Sequence, residues 1–237
     1  MANETNYNMN HKERGIALVI NMQNYDDPNP EERKPKPEER KWSERDVESL
    51  EKTLDYLEFK VIPCLDSTKS QIEKVLQEQA ERDHSESDCF LCVVMSHGIK
   101  DKIVTRDNLE MSFEEIMAPI KLCKTLENKP KLFFFQACRG DNEMEIPRLS
   151  RSDSGESSSD EQATFDYNTG DNTSDSDESN TKKKTSIYAE SDLLVYNATL
   201  PRHYAYGTVT NGTYFIQSVC DVFLKEAYKE LPNKFTV

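Results

Sequence analysis

The chain has no hydrophobic run approaching the ~18 residues that a membrane-spanning helix needs, and residues 1–13 contain no apolar signal region. It also has no excess of basic residues, since 30 Lys and Arg stand against 44 Asp and Glu for a net charge of -14. Such a balance disfavours binding to a phosphate backbone. At 237 residues the chain can form one domain with a substantial core or two small ones. The composition predicts a protein that engages neither a membrane nor nucleic acid.

The six cysteines show no spacing that is typical of a disulfide framework. We therefore expect reduced thiols and a cytoplasmic location. Cys89 and Cys92 have the spacing of half a redox or zinc site, but no second pair of ligands follows them. Because residues three apart on a strand face opposite sides of a sheet, core packing is the favoured interpretation of this pair. The sequence indicates neither a metal site nor a cofactor.

Most of the acidity lies in one segment. Between residues 141 and 192 there are 14 acidic and 5 basic residues, which leaves the rest of the chain close to an ordinary balance. Residues 141–184 are rich in Ser, Asp, Glu, Asn and Thr, and so few aliphatic side chains cannot bury enough surface to order the segment. We interpret residues 141–184 as an acidic disordered linker. It separates residues 14–140 from residues 185–237, and residues 1–13 form a short N-terminal extension.

Apolar runs alternate with helical patterns on both sides of this linker. Strands are predicted over residues 15–21, 59–63, 89–95, 131–136 and 192–198. Ser43 begins a predicted helix with Asp46 placed for a capping box, and Thr68 with Gln71 caps a second helix. A hairpin is predicted over residues 103–111, a short helix near residues 113–117, and a last helix from about residue 211. This order predicts the α/β class, as a three-layer sandwich with a mainly parallel central sheet.

Two polar motifs stand where neighbouring predicted strands end. Residues 89–95 lead into Ser96, His97 and Gly98, and residues 131–135 lead into the pentapeptide Gln-Ala-Cys-Arg-Gly around Cys138. Parallel strands bring both loops to the carboxyl edge of the sheet, where a thiol and an imidazole make a nucleophile and its base. The N–H groups of Gly98 and Cys138 form a candidate oxyanion hole. The alternative is a buried core thiol with an unrelated loop histidine, which either residue alone would favour and the conjunction disfavours.

With these motifs the chain resembles a caspase of the short-prodomain, executioner type, and the resemblance extends to insect-type and decoy homologues. The matching stretches are residues 14–15, 96–98, 136–140, 193–201 and 211–218. The resemblance implies a thiol endopeptidase of apoptosis that cuts proteins after Asp and is made as a zymogen cleaved in the linker. It implies a homodimer or heterodimer. It also implies contact with upstream initiator caspases and inhibitor-of-apoptosis proteins.

The resemblance assigns roles by position. His97 is the general acid and base, Cys138 the nucleophile, and the amides of Gly98 and Cys138 the oxyanion hole. Arg40, in register from Asp46, and Gln136 match the family's pocket for the substrate Asp. Without that register, Arg40 is one charge among many in a charged loop.

Two further sets of residues carry family roles with an alternative beside each. Aromatic contacts to neighbouring substrate side chains fall on Tyr204, Tyr206 and Tyr214, for which strand core is the alternative. The candidate maturation cuts are Asp153, Asp160, Asp175 and Asp177, for which a solvated acidic spacer is the alternative.

The chain departs from the family pattern at the pocket for Asp. The family's second pocket arginine falls on Gly207, which offers no donor to a carboxylate, and Trp42 stands where the family has a glycine. Losing one charged partner of a buried carboxylate costs about 2–5 kcal/mol. A decoy that regulates an active caspase by heterodimerisation is therefore the alternative function. The chain also ends at Val237, before the family's pairing strand. We expect a fragment, and a protein that lacks the usual dimer interface is the alternative.

Overall fold

A computed structural model of the chain describes residues 7–28, 35–140, 192–208 and 210–230, with side chains up to residue 227. The predicted linker and the four candidate maturation cuts lie outside the described residues. In chain order the elements are β1 (Glu13–Asn21), α1 (Ser43–Tyr56), β2 (Lys60–Leu65), α2 (Lys69–Glu81), β3 (Ser87–Met95), β4 (Gly98–Ile99), β5 (Lys102–Val104), β6 (Glu110–Ser112), α3 (Phe113–Lys121), β7 (Lys131–Gln136), β8 (Leu193–Asn197), β9 (Gly207–Thr208), β10 (Gly212–Thr213) and α4 (Tyr214–Glu230).

A five-stranded sheet in the order β2-β1-β3-β7-β8 forms the centre of the molecule. Every neighbouring pair in it is parallel. β1 and β3 are buried on both faces, as their continuous apolar runs predict. β2 lies at one edge, where Pro63 can lack a backbone N–H without breaking a ladder bond inside the sheet. The predicted α/β class with a mainly parallel sheet is confirmed.

Helices cover both faces of this sheet and complete three layers. One face packs against buried side chains of α1 and α4, namely Leu50, Leu54, Ile216 and Cys220. The other packs against α2 and α3 through Ile72, Leu76, Ile116 and Ile120. Within β3 the free thiols of Cys89 and Cys92 are both buried, which confirms their interpretation as core residues.

The helix starts test the capping predictions. Thr68 and Gln71 form the predicted capping box of α2. The box predicted for α1 is wrong: the helix begins at Ser43, but its cap residue Trp42 makes no side-chain cap bond. Asp46 instead accepts the backbone N–H of Thr213 at 2.9 Å. The carboxylate that the local pattern assigned to the start of α1 therefore accepts a hydrogen bond from a buried amide that is distant in sequence.

Two smaller sheets lie beside the main one. β5 and β6 pair antiparallel with Ile103 opposite Met111, which confirms the predicted hairpin. β9 and β10 pair antiparallel, so α4 begins at Tyr214, slightly later than predicted. The short helix predicted near residues 113–117 continues through Pro119 to Lys121. None of the helices in the described residues has the length and apolar character that a bilayer crossing requires.

Candidate active site

The carboxyl ends of β1, β3 and β7 lie side by side, with Asn21 opposite Met95 and Met95 opposite Gln136. The residues beyond these ends converge on one small cleft. Six residues that the sequence singled out line this cleft: Arg40, Trp42, His97, Gln136, Cys138 and Gly207. The parallel sheet therefore unites segments that are far apart in the chain.

The ring of His97 is held in one tautomer. Its Nε2 lies 2.8 Å from the backbone oxygen of Glu38, and because a carbonyl only accepts, Nε2 carries the hydrogen and donates it. The neutral ring then has its lone pair on Nδ1. Burial and, to a smaller extent, the positive charge of Arg40 lower the pKa of His97 to about 4, even though the bond to Glu38 acts in the opposite direction. At neutral pH the ring is an uncharged base.

Cys138 is a protonated thiol at rest. Burial raises the pKa of Cys138, while an N–H donated by Ala205 to its Sγ at 3.4 Å and the charge of Arg40 act in the opposite direction. A neutral thiol therefore shares the cleft with a neutral imidazole. Sulfur can attack only as its proton leaves, so a base in the cleft must accept that proton.

Gly98 lies close to the nucleophile's backbone. A Cβ placed on Gly98 would come within 2.7 Å of the backbone oxygen of Cys138 and 2.8 Å of that of Lys102. Only glycine allows this close approach. The backbones of the two residues that the sequence assigned to an oxyanion hole are thus neighbours.

The loop after β8 supports the loop that carries Cys138. Arg139 donates its backbone N–H to His203 and accepts that of Arg202, each at 3.0 Å. Gly140 leaves no room for a side chain against Arg202. The side chain of Arg139 forms an ion pair with Asp101. Segments from both sides of residues 141–191 therefore build the nucleophile's environment.

Arg40 is a buried cation that shares no hydrogen bond with a carboxylate of the described residues, although its charge acts on the buried Asp46, where it opposes the rise in pKa that burial causes. Its side chain is 3% exposed, and Nη1 donates to the backbone oxygen of Met22 at 2.6 Å and to Oδ1 of Asn21 at 3.3 Å. The guanidinium carbon lies 5.9 Å from the ring centroid of Trp42. Within the described residues Arg40 forms no salt bridge. A buried charge without a hydrogen-bonded counter-charge is costly, so this cleft favours an anionic ligand group.

Gly207 and Trp42 also line this cleft. Gly207 pairs with Thr213 across β9 and β10, and a Cβ on it would lie 2.9 Å from Cα of Thr213. This strand pair is therefore packed too closely for a side chain at Gly207 without a local shift. Trp42, 8% exposed, fills space between α1 and the cleft.

The three tyrosines assigned to substrate contacts do not line the cleft. Tyr204 and Tyr206 flank Ala205, which does line it, and Tyr214 follows Thr213, which also does. None of the three lies in a strand or is fully buried, and Tyr214 is 53% exposed. Their role in substrate contact stays a prediction.

Sequence reasoning missed four contributors to this site. They are the carbonyl of Glu38, the amide of Ala205, the carboxylate of Asp46 bound to β10, and the hydroxyl of Tyr25. Backbone groups give no residue-type signal. For Tyr25 a signal existed, because it follows β1 just as His97 follows β3.

Comparisons with known proteins agree with this geometry. A family model described as the caspase domain matches residues 14–236. The chain is 31% identical to Caspase-7 of Gallus gallus, over 95% of this chain and 65% of that protein. It is 32% identical to Caspase-1 of Spodoptera frugiperda, over 91% of this chain and 62% of that protein. The chain thus spans less than two thirds of the length of these curated relatives.

The fold also matches that of a crystal structure. Caspase-1 from Spodoptera frugiperda superimposes with a TM-score of 0.67 at 26% sequence identity. The match covers 98% of this chain and 83% of the other.

Proposed function

Since this chain belongs to the caspase family, we propose that it is a cysteine endopeptidase that cleaves proteins after Asp. In the first step Nδ1 of His97 takes the proton of Cys138 as Sγ attacks the substrate carbonyl carbon. The amides of Gly98 and Cys138 stabilise the negative charge that develops on the carbonyl oxygen. The imidazolium then gives its proton to the leaving amine, and water hydrolyses the resulting thioester with His97 again as base.

The unpaired charge of Arg40 is the observation that supports this substrate class most directly. Its remaining donors have no carboxylate partner among the described residues, and Gln136 lines the same cleft. Oε1 of Gln136 is buried and makes no hydrogen bond to the described residues. An Asp side chain in the cleft would supply a hydrogen-bonded counter-charge. A carboxylate bound by a guanidinium forms strong charge-assisted bonds.

The family also supports a wider proposal. The protein would act in apoptosis in the cytoplasm as a zymogen, with residues 14–140 in its large subunit and residues 185–237 in its small subunit. Cuts after Asp153, Asp160, Asp175 or Asp177 would separate them. Its partners would be protein substrates, a second caspase protomer, upstream initiator caspases and inhibitor-of-apoptosis proteins.

A covalent peptide inhibitor bearing Asp at the cleavage position tests the core of this proposal. We expect the wild-type chain to be labelled on Cys138, which intact-protein and peptide mass spectrometry would locate. The Cys138→Ala variant and a matched inhibitor with Asn in place of Asp should give no labelling. Equal labelling by the Asp and Asn inhibitors would contradict the Asp-directed specificity.

A decoy that pairs with an active caspase is the second candidate, and Gly207 with Trp42 is the observation that favours it. Among the described residues that line the cleft, Arg40 is the one permanent cation, where the family resemblance implies two. The Gly207→Arg variant restores the second, and Gly207→Ala controls for the displacement of Thr213 that any side chain requires. Labelling that appears only in Gly207→Arg would establish the decoy and contradict the active enzyme. Robust wild-type labelling would exclude the decoy.

A further inference from the structure

Tyr25 lies against the ring of His97. It follows β1 in the loop that leads away from the sheet, and its side chain is 4% exposed. The two ring centroids are 5.3 Å apart with an interplanar angle of 32°. Its hydroxyl oxygen lies 3.2 Å from the backbone nitrogen of His97 and 3.1 Å from Oγ of Ser96.

The protons in this cluster have only one consistent arrangement. Ser96 donates its only hydroxyl hydrogen to the carbonyl oxygen of Val104 at 2.6 Å, because a carbonyl can only accept. The hydrogen between Tyr25 and Ser96 must therefore belong to Tyr25. The backbone N–H of His97 donates to the same phenol oxygen. The chain of donors thus runs from His97 through Tyr25 and Ser96 to Val104.

His97 is consequently fixed by backbone and ring together. Its N–H is bound by Tyr25, its carbonyl accepts the N–H of Val104 at 2.9 Å, and its Nε2–H is bound by Glu38. The phenol ring covers part of the imidazole and keeps water away from it. Other charged groups act on the pair: Arg40 lowers the pKa of both His97 and Tyr25, and Asp66 raises that of Tyr25.

We propose that Tyr25 is a positioning residue for the general base, an inference that rests on the proposed function of His97. The hydroxyl of Tyr25 fixes the position of the imidazole of His97, and the ring of Tyr25 shields that imidazole from water. These two tasks are separable, because Phe retains the ring and Leu retains neither the hydroxyl nor the aromatic face.

The test is the rate of alkylation of Cys138 by iodoacetamide as a function of pH, read by mass spectrometry. Tyr25→Phe should lower the rate about 10-fold, since a loosened base loses its alignment, and should leave the midpoint of the acid limb unchanged. Tyr25→Leu should move that midpoint upward, towards the ordinary histidine value of about 6.5. Ser96→Ala, which removes the acceptor of the Tyr25 proton together with the donor to Val104, should lower the rate about 3-fold. In peptide turnover the loss should appear in kcat and not in KM.

Tyr7→Phe is the matched control, because it removes a tyrosine hydroxyl bound to Asp192 at 2.9 Å, away from the cleft. Its alkylation rate should equal that of the wild type. A folded Tyr25→Phe variant with a wild-type rate would overturn the proposal, as would an unmoved midpoint in Tyr25→Leu. If Tyr25→Leu does not fold, the alkylation rates of Tyr25→Phe and Ser96→Ala test the proposal.

Alkylation needs no substrate, so it separates this inference from the proposed function. A rate that depends on His97 and Tyr25 in a protein that cleaves no Asp peptide would contradict the proposed function alone. A rate unaffected by His97→Gln would contradict both.

Discussion

Replacing Arg40 with Gln should separate substrate recognition from stability. In the wild type the guanidinium is buried with only neutral acceptors, the carbonyl of Met22 and the amide oxygen of Asn21. Gln can satisfy one of these acceptors, and the substitution removes a buried charge that forms no salt bridge within the described residues. The two effects oppose each other, so we expect the free energy of unfolding to change by no more than about 1–2 kcal/mol.

The effect on reaction with an Asp-containing inhibitor should be far larger. Removing the charged partner of a desolvated carboxylate costs about 2–5 kcal/mol, which at 1.36 kcal/mol per decade is about a 30- to 5,000-fold lower second-order labelling rate. Arg40→Lys retains the charge without the planar arrangement of donors, so its labelling rate should lie between those of the wild type and Arg40→Gln.

Arg40→Gln should also move the pH dependence. The charge of Arg40 contributes to lowering the pKa of His97, so its removal should shift the acid limb of alkylation of Cys138 to higher pH. Stopped assays with the Asp and Asn inhibitors measure the labelling rate, alkylation across a range of pH measures the acid limb, and chemical denaturation measures the free energy of unfolding. A variant that unfolds several kcal/mol more easily yet still discriminates Asp from Asn would refute the reasoning, because Arg40 would then be a structural residue.

Three further predictions concern the base, the contact to β10 and the sheet. Because burial lowers the pKa of His97 to about 4, the ring is protonated and inactive only below that pH. Turnover should therefore be half-maximal near pH 4. A midpoint near pH 6.5 would contradict the buried, neutral base. Asp46→Ala should destabilise the fold by about 2–4 kcal/mol in urea denaturation, because the bound donors of Thr213 and Gln217 lose their acceptor. Asp46→Asn retains an oxygen and should cost under about 1 kcal/mol, since burial raises the pKa of Asp46. Equal losses of stability in the two variants would contradict this account. Gly15→Ala should cost about 2–6 kcal/mol of thermal stability, because Gly15 has φ +129 and a Cβ would overlap the carbonyl of Cys89. An unchanged melting temperature would contradict this prediction and show that β1 can shift against β3.

The sequence was sufficient for those parts of the site that depend on strand order. Continuous apolar runs identified β1, β3 and β7, and parallel strands place their following loops at one edge. The convergence of His97 and Cys138 follows from that rule without any knowledge of side-chain contacts. The capping box of Thr68 and Gln71 was equally predictable, because both partners lie within one helical turn.

The remaining contacts depend on chain segments that meet only in the fold. Asp46 has the spacing of a capping residue, yet it binds Thr213 in β10. The N–H groups of Ser43 and Arg45 at the start of α1 donate instead to backbone oxygens. Glu38 and Ala205 act through backbone groups, which any residue carries. The bulk of a side chain at Gly207 is excluded by the approach of Thr213, and that distance has no local signature.

Cleavage of a peptide library by the wild-type chain tests the central claim most directly. Mass spectrometry of the products should show cuts after Asp, absent in Cys138→Ala and reduced at least about 30-fold in Arg40→Gln. No cleavage by a folded wild-type protein, or cleavage after residues other than Asp, would contradict the account.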